Sequence, residues 1–325
     1  MYLTNYFNKL VALFLFCSVN LFSQNDFTTV LGVTSIANQD SPLKLDAGLS
    51  VLNGTNTIQT SYTVTACGLD FVATSVRLCK RGGSPAGANQ PATFAVAGIP
   101  ACATIVKAFF YTGGSGSGPA INLSFTNPVP TTVIFPMVAC GYTATDKWGG
   151  YAGTWTRRAD VTALITGNGN YIISGIPTGA PNDPDGGTLI IIYSDITQTF
   201  TGSMVMADGT MASGGPGNLN SLITGFNACA NSTLDKHYII VGDLQSLGPY
   251  NLRHNSLVNN SVYPGAGQQF YAYLPFTGAA VTAGQTTANY GLNNATGDAF
   301  AFYAAGLYYR TGCSVCTATA CVPLP

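Results

Sequence analysis

The chain contains no glutamate, and all thirteen of its acidic residues are aspartates. Charged residues of both signs make up only 8% of the sequence. Glutamate and lysine are among the residues that populate helix surfaces, whereas strands favour aromatic and β-branched residues. The shortage of charge therefore excludes a helix-rich fold and predicts a β protein.

Long apolar runs are also scarce. The run LVALFLFCSVNLF follows Lys9 and ends just before Ser23, which predicts a secretory signal over residues 1–23. A lipoprotein signal ending at Cys17 is the alternative, but bulky Phe16 stands where its processing needs a small residue. No later run approaches the roughly 18 to 20 apolar residues of a spanning helix. We therefore expect a secreted or cell-surface protein with no transmembrane segment in the mature chain.

Net charge argues against one class of partner. The sequence has 12 basic and 13 acidic residues, and loss of Lys9 with the signal leaves 11 basic residues. Binding to nucleic acid depends on a surplus of lysine and arginine. Nucleic acid is therefore not an expected partner.

Eight cysteines remain after Cys17 is removed with the signal, and an even number in an exported chain predicts disulfides. They are Cys67, Cys79, Cys102, Cys140, Cys229, Cys313, Cys316 and Cys321. Five lie in the body of the chain and three in the tail, so full pairing needs at least one bridge from tail to body. A redox pair or zinc site at the CSVC of residues 313–316 is disfavoured, because no βαβ unit and no fourth ligand accompany it.

Short apolar stretches punctuated by Gly, Pro, Asn and Asp predict nine strands after residue 93. They cover residues 103–111, 120–126, 131–139, 170–176, 188–194, 200–207, 237–244, 269–276 and 298–310. INLSF alternates, as a strand with one wet face does, whereas LIIIY does not, which indicates a central strand covered on both faces. The pattern predicts an all-β, two-layer antiparallel β-sandwich, jelly-roll-like, with one short helix that Asp160 caps in DVTALITG.

The domain prediction follows from these patterns. Residues 1–23 are the signal, 24–92 a β-rich N-terminal extension that includes two strands within 61–79, 93–311 the β-sandwich, and 312–325 a Cys-rich tail or linker.

The stretch NDPDGG, residues 182–187, is the first candidate site. A calcium loop of the helix-loop-helix type fails, because Pro181 and Ile192 would occupy its first and twelfth positions. A looser β-loop site would use Asp183, Asp185 and Asp195, and a structural calcium is the one cofactor hypothesis that the chain offers. Turn chemistry explains every residue of the stretch and is the favoured interpretation.

Catalytic patterns are weak. The segments GGSGS and GGSPA both lack the last glycine of a nucleophile elbow. His237 lies near Asp235 and Asp243 in LDKHYIIVGD, which allows a base with an orienting carboxylate. With no nucleophile to serve, a hydrogen-bonded structural histidine is the favoured interpretation, and no catalytic residue is assigned.

The segment KWGGYAGTW, residues 147–155, places Trp148, Tyr151 and Trp155 in a Gly-rich loop. Exposed rings on the rim of a sandwich can stack against sugars, so these three are the candidate ligand-binding residues. The competing interpretation is that one or both tryptophans fill the end of the core.

Several landmarks occur in a characteristic order: AGIPACATIVKAFFYTGGSG, WTRRADVTALITGNGNYIISGIP, DGGTLIIIYSD, SMVMADGT and LITGF. Over residues 95–310 this order resembles an uncharacterised β-sandwich module of secreted bacterial surface proteins and large adhesins. The resemblance implies an exported, adhesin-like role and brings no catalytic residues with it.

We therefore expect a non-enzymatic, exported cell-surface protein with a role in adhesion or surface assembly, whose partner is a surface glycan or another surface protein. The first alternative is a carbohydrate-binding module that uses the loop 147–155. The second is an Asp-dependent hydrolase.

Overall fold

The computed structural model describes residues 58–78, 90–147, 150–178, 181–229, 233–244, 250–255, 257–262, 271–276, 281–294, 299–311 and 316–321. Those residues contain eighteen β-strands and a single 3₁₀ turn. The prediction of an all-β antiparallel sandwich is confirmed. None of the helices in the described part of the chain is long and apolar enough to cross a membrane.

The strands are numbered in chain order. The first ten are β1 Gln59–Cys67, β2 Leu69–Arg77, β3 Ala92–Val96, β4 Ala103–Ser115, β5 Asn122–Thr126, β6 Thr132–Pro136, β7 Val138–Thr143, β8 Thr154–Asp160, β9 Gly169–Ser174 and β10 Asp183–Asp195. The other eight are β11 Thr201–Ser213, β12 Gly217–Ile223, β13 Thr233–Gly242, β14 Tyr250–His254, β15 Leu257–Val262, β16 Tyr271–Phe276, β17 Ala288–Asn294 and β18 Phe300–Thr311.

The strands form four sheets, which make two sandwiches. Sandwich 1 has an inner sheet of order β2-β10-β4-β8-β7 and an outer sheet of order β3-β9-β5-β6. Sandwich 2 has an inner sheet of order β1-β11-β18-β13-β16 and an outer sheet of order β12-β17-β14-β15. One apolar core lies inside each sandwich, and a third lies between the two inner sheets. The result is a stack of four layers.

The two sandwiches share one topology. In sandwich 1 the order β2-β10-β4-β8 lies over β3-β9-β5-β6, and in sandwich 2 the order β11-β18-β13-β16 lies over β12-β17-β14-β15. When the eight strands of each sandwich are numbered along the chain, the order of strands in the two sheets is the same in both sandwiches. This order is that of a jelly roll with four strands in each sheet. β7 and β1 are the additional edge strands. The described chain therefore builds the predicted sandwich class twice, as an internal structural repeat.

The inner strands are covered on both faces, as LIIIY predicts. In β10, Leu189 and Ile191 lie in the core of sandwich 1, whereas Ile190 and Ile192 lie in the core between the sandwiches. All four are 0% exposed. In the outer sheet, by contrast, β5 buries Leu123 and exposes Asn122, so the strict alternation of INLSF marks a strand with one wet face.

The N-terminal strands belong to both sandwiches. β1 pairs with β11 of sandwich 2, and β2 pairs with β10 of sandwich 1. Both lie within residues 24–92, the segment predicted as an extension. The chain crosses between the sandwiches at Gly68 and again between β10 and β11.

The predicted short helix is one 3₁₀ turn at Thr162–Leu164. The Asp160 carboxylate accepts hydrogen bonds from the backbone amide and the hydroxyl of Thr162. Burial disfavours the charged carboxylate, but the bonds from Lys107 and Thr162 outweigh it and lower the pKa of Asp160. Val161, and not Asp160, is the N-cap residue of the turn, and it makes no side-chain cap bond. Val161 and Ile165 are buried in the core of sandwich 1, so the turn is held by packing and by the bonds between Asp160 and Thr162.

Candidate functional site

The aromatic loop contributes less surface than the sequence suggests. Trp155 lies in β8, is 1% exposed and belongs to the core of sandwich 1. Its indole N–H donates to the Ser115 carbonyl at 3.0 Å, which is the partner that a buried indole needs. Tyr151 is half-buried, and Trp148 lies outside the described residues. Because its ring faces the core, Trp155 does not offer a stacking surface to a sugar.

The three candidate metal ligands are not brought together. Asp183 and Asp185 begin β10, whereas Asp195 ends it. The ten residues from Asp185 to Asp195 correspond to roughly 33 Å of extended strand. The described residues hold no group of three or more His, Cys, Asp or Glu that could bind a metal.

Asp195 serves its own local turn. Its carboxylate accepts bonds from the backbone and hydroxyl of Thr197 and from the Gln198 side chain. Burial works against the charged form, but these bonds outweigh it and lower the pKa of Asp195. The carboxylate therefore closes the crossing from sandwich 1 to sandwich 2.

The stretch Asp183–Gly187 is not a turn, and that prediction is wrong. These residues already pair with β4, and the register shifts between Pro184 and Gly186. Such an irregularity redirects a side chain relative to a regular strand. Asp185 lies within the shift, and its side chain is directed into the protein interior.

Asp185 is the centre of a fully buried polar cluster. Lys147 Nζ lies 3.0 Å from both carboxylate oxygens, and both side chains are 0% exposed. Lys147 also donates to Ser115 Oγ at 2.9 Å. Tyr303, from β18 of sandwich 2, donates its hydroxyl to Asp185 Oδ2. The cluster therefore joins the two inner sheets.

A second buried pair also crosses between the sandwiches. Arg158 of β8 lies 3.0 Å from Asp208 of β11, and Ser61 and Tyr111 donate hydroxyls to the same carboxylate. The guanidinium lies over the Phe109 ring, 4.5 Å from its centroid. Burial alone would lower the pKa of Arg158, but the Asp208 carboxylate outweighs it and the net direction is upward. Arg158 thus stays charged inside the protein.

A third cluster lies nearer the surface. Asp70 of β2 accepts from Lys236 of β13 at 2.6 Å and lies 3.7 Å from Arg310 of β18. The three clusters have one feature in common, which is that each joins a group of sandwich 1 to a group of sandwich 2. They fix the relative position of two apolar sheets that could otherwise slide.

The two histidines stack inside sandwich 2. Their ring centroids are 3.8 Å apart, and His237 and His254 are 1% and 0% exposed. His237 Nδ1 lies 2.9 Å from the Tyr290 hydroxyl. Burial, with the neighbouring His237, lowers the pKa of His254 to about 3. His254 is therefore neutral at physiological pH.

Two disulfides join the tail to the body, which confirms the prediction from the odd split of the cysteines. Cys67 pairs with Cys316 and Cys102 with Cys321, with Cα–Cα distances of 5.6 and 5.9 Å. Cys229 is also disulfide-bonded, and the buried Cys140 donates its thiol to the Val138 carbonyl. Cys79 and Cys313 lie outside the described residues.

The tail between the two bridges runs beside the crossing from β10 to β11. The Cys316 amide donates to the Thr199 carbonyl at 3.3 Å, and the Thr319 amide donates to the Ile196 carbonyl at 2.8 Å. The chain leaves sandwich 2 at β18 and is bonded to sandwich 1 through Cys102. Residues 316–321 thus form a strap over the connection between the sandwiches.

The ion-pair clusters were hard to predict from the sequence. Lys147, Arg158 and Asp208 stand in segments whose composition fits loops or edge strands, and their partners are distant in sequence. One feature of the sequence does point to buried ion pairs. Although the chain has few charged residues, several of them lie within or beside apolar strands. Charges so placed are buried only when they are paired.

Comparisons with known proteins assign no family. No protein-family model matches the chain, and no curated protein matches it. Three solved chains match, and one of them is the crystal structure of the major capsid protein P2 from bacteriophage PM2. It is 6% identical, with a TM-score of 0.20, over 78% of this chain and 100% of that chain. A likeness with so low a TM-score carries no inference about fold or function.

Proposed function

We propose that this chain is an exported, non-enzymatic cell-surface protein with a role in attachment or surface assembly. The observation that carries the proposal is the pair of tail-to-body disulfides, Cys67–Cys316 and Cys102–Cys321. Such bridges persist in oxidising compartments and are rare in the cytosol. The secretory signal predicted over residues 1–23 supports the same location.

The use of the acidic residues supports a non-enzymatic role. Asp185 and Asp208 are 0% exposed and are held by a cation and by hydroxyl groups. Asp195 is held by its own turn. A catalytic carboxylate has to reach a substrate in a cleft, whereas these three stabilise the packing of the two sandwiches.

The architecture supports a role in contact with other surfaces. Three ionic clusters, one apolar core and a disulfide-bonded strap all act between the two sandwiches, so the pair forms a stiff body. Both outer sheets turn one face to solvent, as the exposed positions of β3, β9 and β12 show. A rigid body with two exposed sheet faces suits contact with a neighbouring surface.

The test is surface labelling of intact cells with an antibody against the mature chain, combined with an attachment assay. We expect labelling without permeabilisation, and we expect attachment to fall when the gene is deleted and to return on complementation. The matched control is the same chain without residues 1–23, which should remain unlabelled. Labelling only after permeabilisation would contradict the proposed location.

The alternative of an enzyme has its own readout. Purified mature protein is assayed against polysaccharide and ester substrates. Turnover that disappears in a single Asp→Asn variant of unchanged melting temperature would overturn the non-enzymatic assignment.

A further inference from the structure

The outer sheet of sandwich 2 presents a face rich in amides. In β12, Asn218, Asn220 and Leu222 are exposed and alternate with less accessible residues. β17 and β14 contribute further outward-facing positions in the same alternation. Together the outward positions of these three strands are Asn218, Asn220, Leu222, Asn251, Arg253, Asn289, Gly291 and Asn293.

Strand register arranges these residues in rows. Asn218 is opposite Asn293, which is opposite Asn251. In the next row Asn220 is opposite Gly291, which is opposite Arg253. Neighbouring strands are about 4.8 Å apart, so each row spans about 10 Å. The rows form one continuous polar surface.

The middle of the face is shaped by Gly291. A Cβ built at this position would lie 2.4 Å from Asn220 Oδ1, so the Asn220 amide lies over the middle strand where a side chain would otherwise stand. Asn293 Nδ2 donates to Asn218 Oδ1. The same nitrogen also lies 3.4 Å from the Gly217 carbonyl oxygen, and neither bond uses the Asn218 side-chain nitrogen or the Asn293 side-chain oxygen.

The amides are not required by the fold. Asparagine is disfavoured in strands, and sandwich 1 provides an internal comparison with the same topology. Its outer sheet faces solvent mainly with hydroxyl and apolar side chains, among them Thr93, Thr132, Ile134 and Ile172, and has two exposed asparagines, Asn122 and Asn170, against five outward asparagines in sandwich 2. The asparagine content of sandwich 2 therefore calls for a cause other than strand formation.

The charge of the face selects a class of partner. Arg253 is exposed, and the sequences of β12, β14, β15 and β17 contain no acidic residue. The face therefore combines one guanidinium with five amides. A guanidinium binds a carboxylate through two parallel hydrogen bonds, and an amide both donates to and accepts from a hydroxyl.

We propose that this face binds an acidic polysaccharide of the polyuronate type, with Arg253 holding a carboxylate and the asparagines holding ring hydroxyls. The inference rests on the proposed surface role and names its partner. The proposed binding face lies on sandwich 2, whereas the aromatic loop belongs to sandwich 1. Repeated weak contacts along a polymer add up through effective concentration.

The test is binding of the purified, oxidised mature protein to immobilised polygalacturonate, with dextran as the neutral polysaccharide. We expect binding to polygalacturonate that weakens with added salt, and at least tenfold weaker binding to dextran. Arg253→Gln removes the charge-assisted bond and should weaken binding about tenfold. Gly291→Ala should displace the Asn220 amide and weaken binding a few-fold.

The matched control is Thr93→Ala, which changes the outer face of sandwich 1 and should leave binding unchanged. Melting temperatures of all three variants verify that the fold is kept. Equal binding to dextran and polygalacturonate, binding that Arg253→Gln leaves intact, or no binding to polygalacturonate would each overturn the proposal. Surface labelling on cells is independent of this binding assay, so failure of one proposal is distinguishable from failure of the other.

Discussion

Loss of one partner of the buried Lys147–Asp185 pair should destabilise the protein strongly. Both side chains are 0% exposed, and Lys147 Nζ lies 3.0 Å from Asp185 Oδ2. In Lys147→Met the apolar side chain has a similar length, and the Asp185 carboxylate keeps the Tyr303 hydroxyl but loses the Lys147 ammonium group. Asp185→Asn leaves the ammonium group buried without its carboxylate.

The expected magnitude follows from the burial of the pair. Removal of one member of a buried ion pair costs about 3–5 kcal/mol, because the remaining charge has lost its compensation in a medium of low polarity. For a protein of this size 1 kcal/mol corresponds to about 2–4 °C in melting temperature. Each single variant should therefore melt roughly 6–20 °C below the wild type.

The assay is equilibrium unfolding by guanidinium chloride, with melting curves of the oxidised protein as a second measurement. The double variant Lys147→Met with Asp185→Asn completes a double-mutant cycle, and we expect it to lose clearly less than the sum of the two single variants. Lys107→Met is the matched control, since the Lys107–Asp160 pair has side chains 18% and 45% exposed. Its loss should be below about 1 kcal/mol.

The reasoning would be refuted if Lys147→Met and Asp185→Asn each lost less than about 1 kcal/mol, or if the cycle were additive. Either result would mean that the cluster is open to water or that its charges do not interact. The three ionic clusters would then contribute little to the position of one sandwich against the other.

Three further predictions concern pH, the strap and one glycine. The pKa of His254 is lowered from 6.5 to about 3 in the folded state, so the stabilising contribution of His254 is complete above about pH 6.5 and is lost as the pH falls towards 3. Linkage gives a loss of about 2 kcal/mol in the free energy of unfolding at pH 5. Urea unfolding at pH 7 and pH 5 should show this loss, and His254→Phe should abolish it. The double variant Cys102→Ser with Cys321→Ser removes one bridge. Because 35 positions separate Cys67 from Cys102 and 5 separate Cys316 from Cys321, this bridge closes an effective loop of about 40 residues, and its removal should lower the free energy of unfolding by about 4 kcal/mol. An unchanged denaturation midpoint in non-reducing buffer would contradict the role of the strap. Gly68→Ala should cost more than about 2 kcal/mol in the same assay, since Gly68 has a φ of +59° and its added Cβ would lie 2.0 Å from the Asp195 carbonyl oxygen. Gly150 has a φ of +97°, and its added Cβ would meet no atom of the described residues within 4 Å, so Gly150→Ala reports the cost of the backbone conformation.

The missed strands show the limit of reading strands from apolar patterns. All nine strands predicted after residue 93 overlap strands of the structure, because each carries its own run of β-branched and aromatic residues. No predicted strand covers β3, β8, β12, β14, β15 or β17. Two of them, β8 and β12, show why. β8 has two arginines and an aspartate in seven residues, and β12 has outward asparagines that resemble a loop. Both form strands because the neighbouring strands supply hydrogen bonds and a core, which no local pattern reveals.

The candidate site was predicted less well than the fold. Trp155 lies only a few positions from Trp148 and Tyr151 in the sequence. Its side chain nevertheless packs into the core, because a large ring gains more from burial than from exposure. The prediction grouped Asp195 with Asp183 and Asp185 by chemistry, yet these residues lie at opposite ends of β10. Arg253 and the asparagines of the amide face come from three strands distant in sequence, so only strand pairing brings them into one surface.

The sequence by itself determined the all-β class, the central strands that are buried on both faces, and the presence of disulfides between the tail and the body of the chain. These properties are local or additive, since composition, alternation and a count of cysteines are enough to state them. Only the tertiary structure decided that the sandwich occurs twice, that Asp185 and Asp208 stabilise the junction between the two copies, and which faces remain open. Those outcomes depend on pairing between residues as far apart as Cys67 and Cys316, and such pairing is decided by the packing of the whole chain.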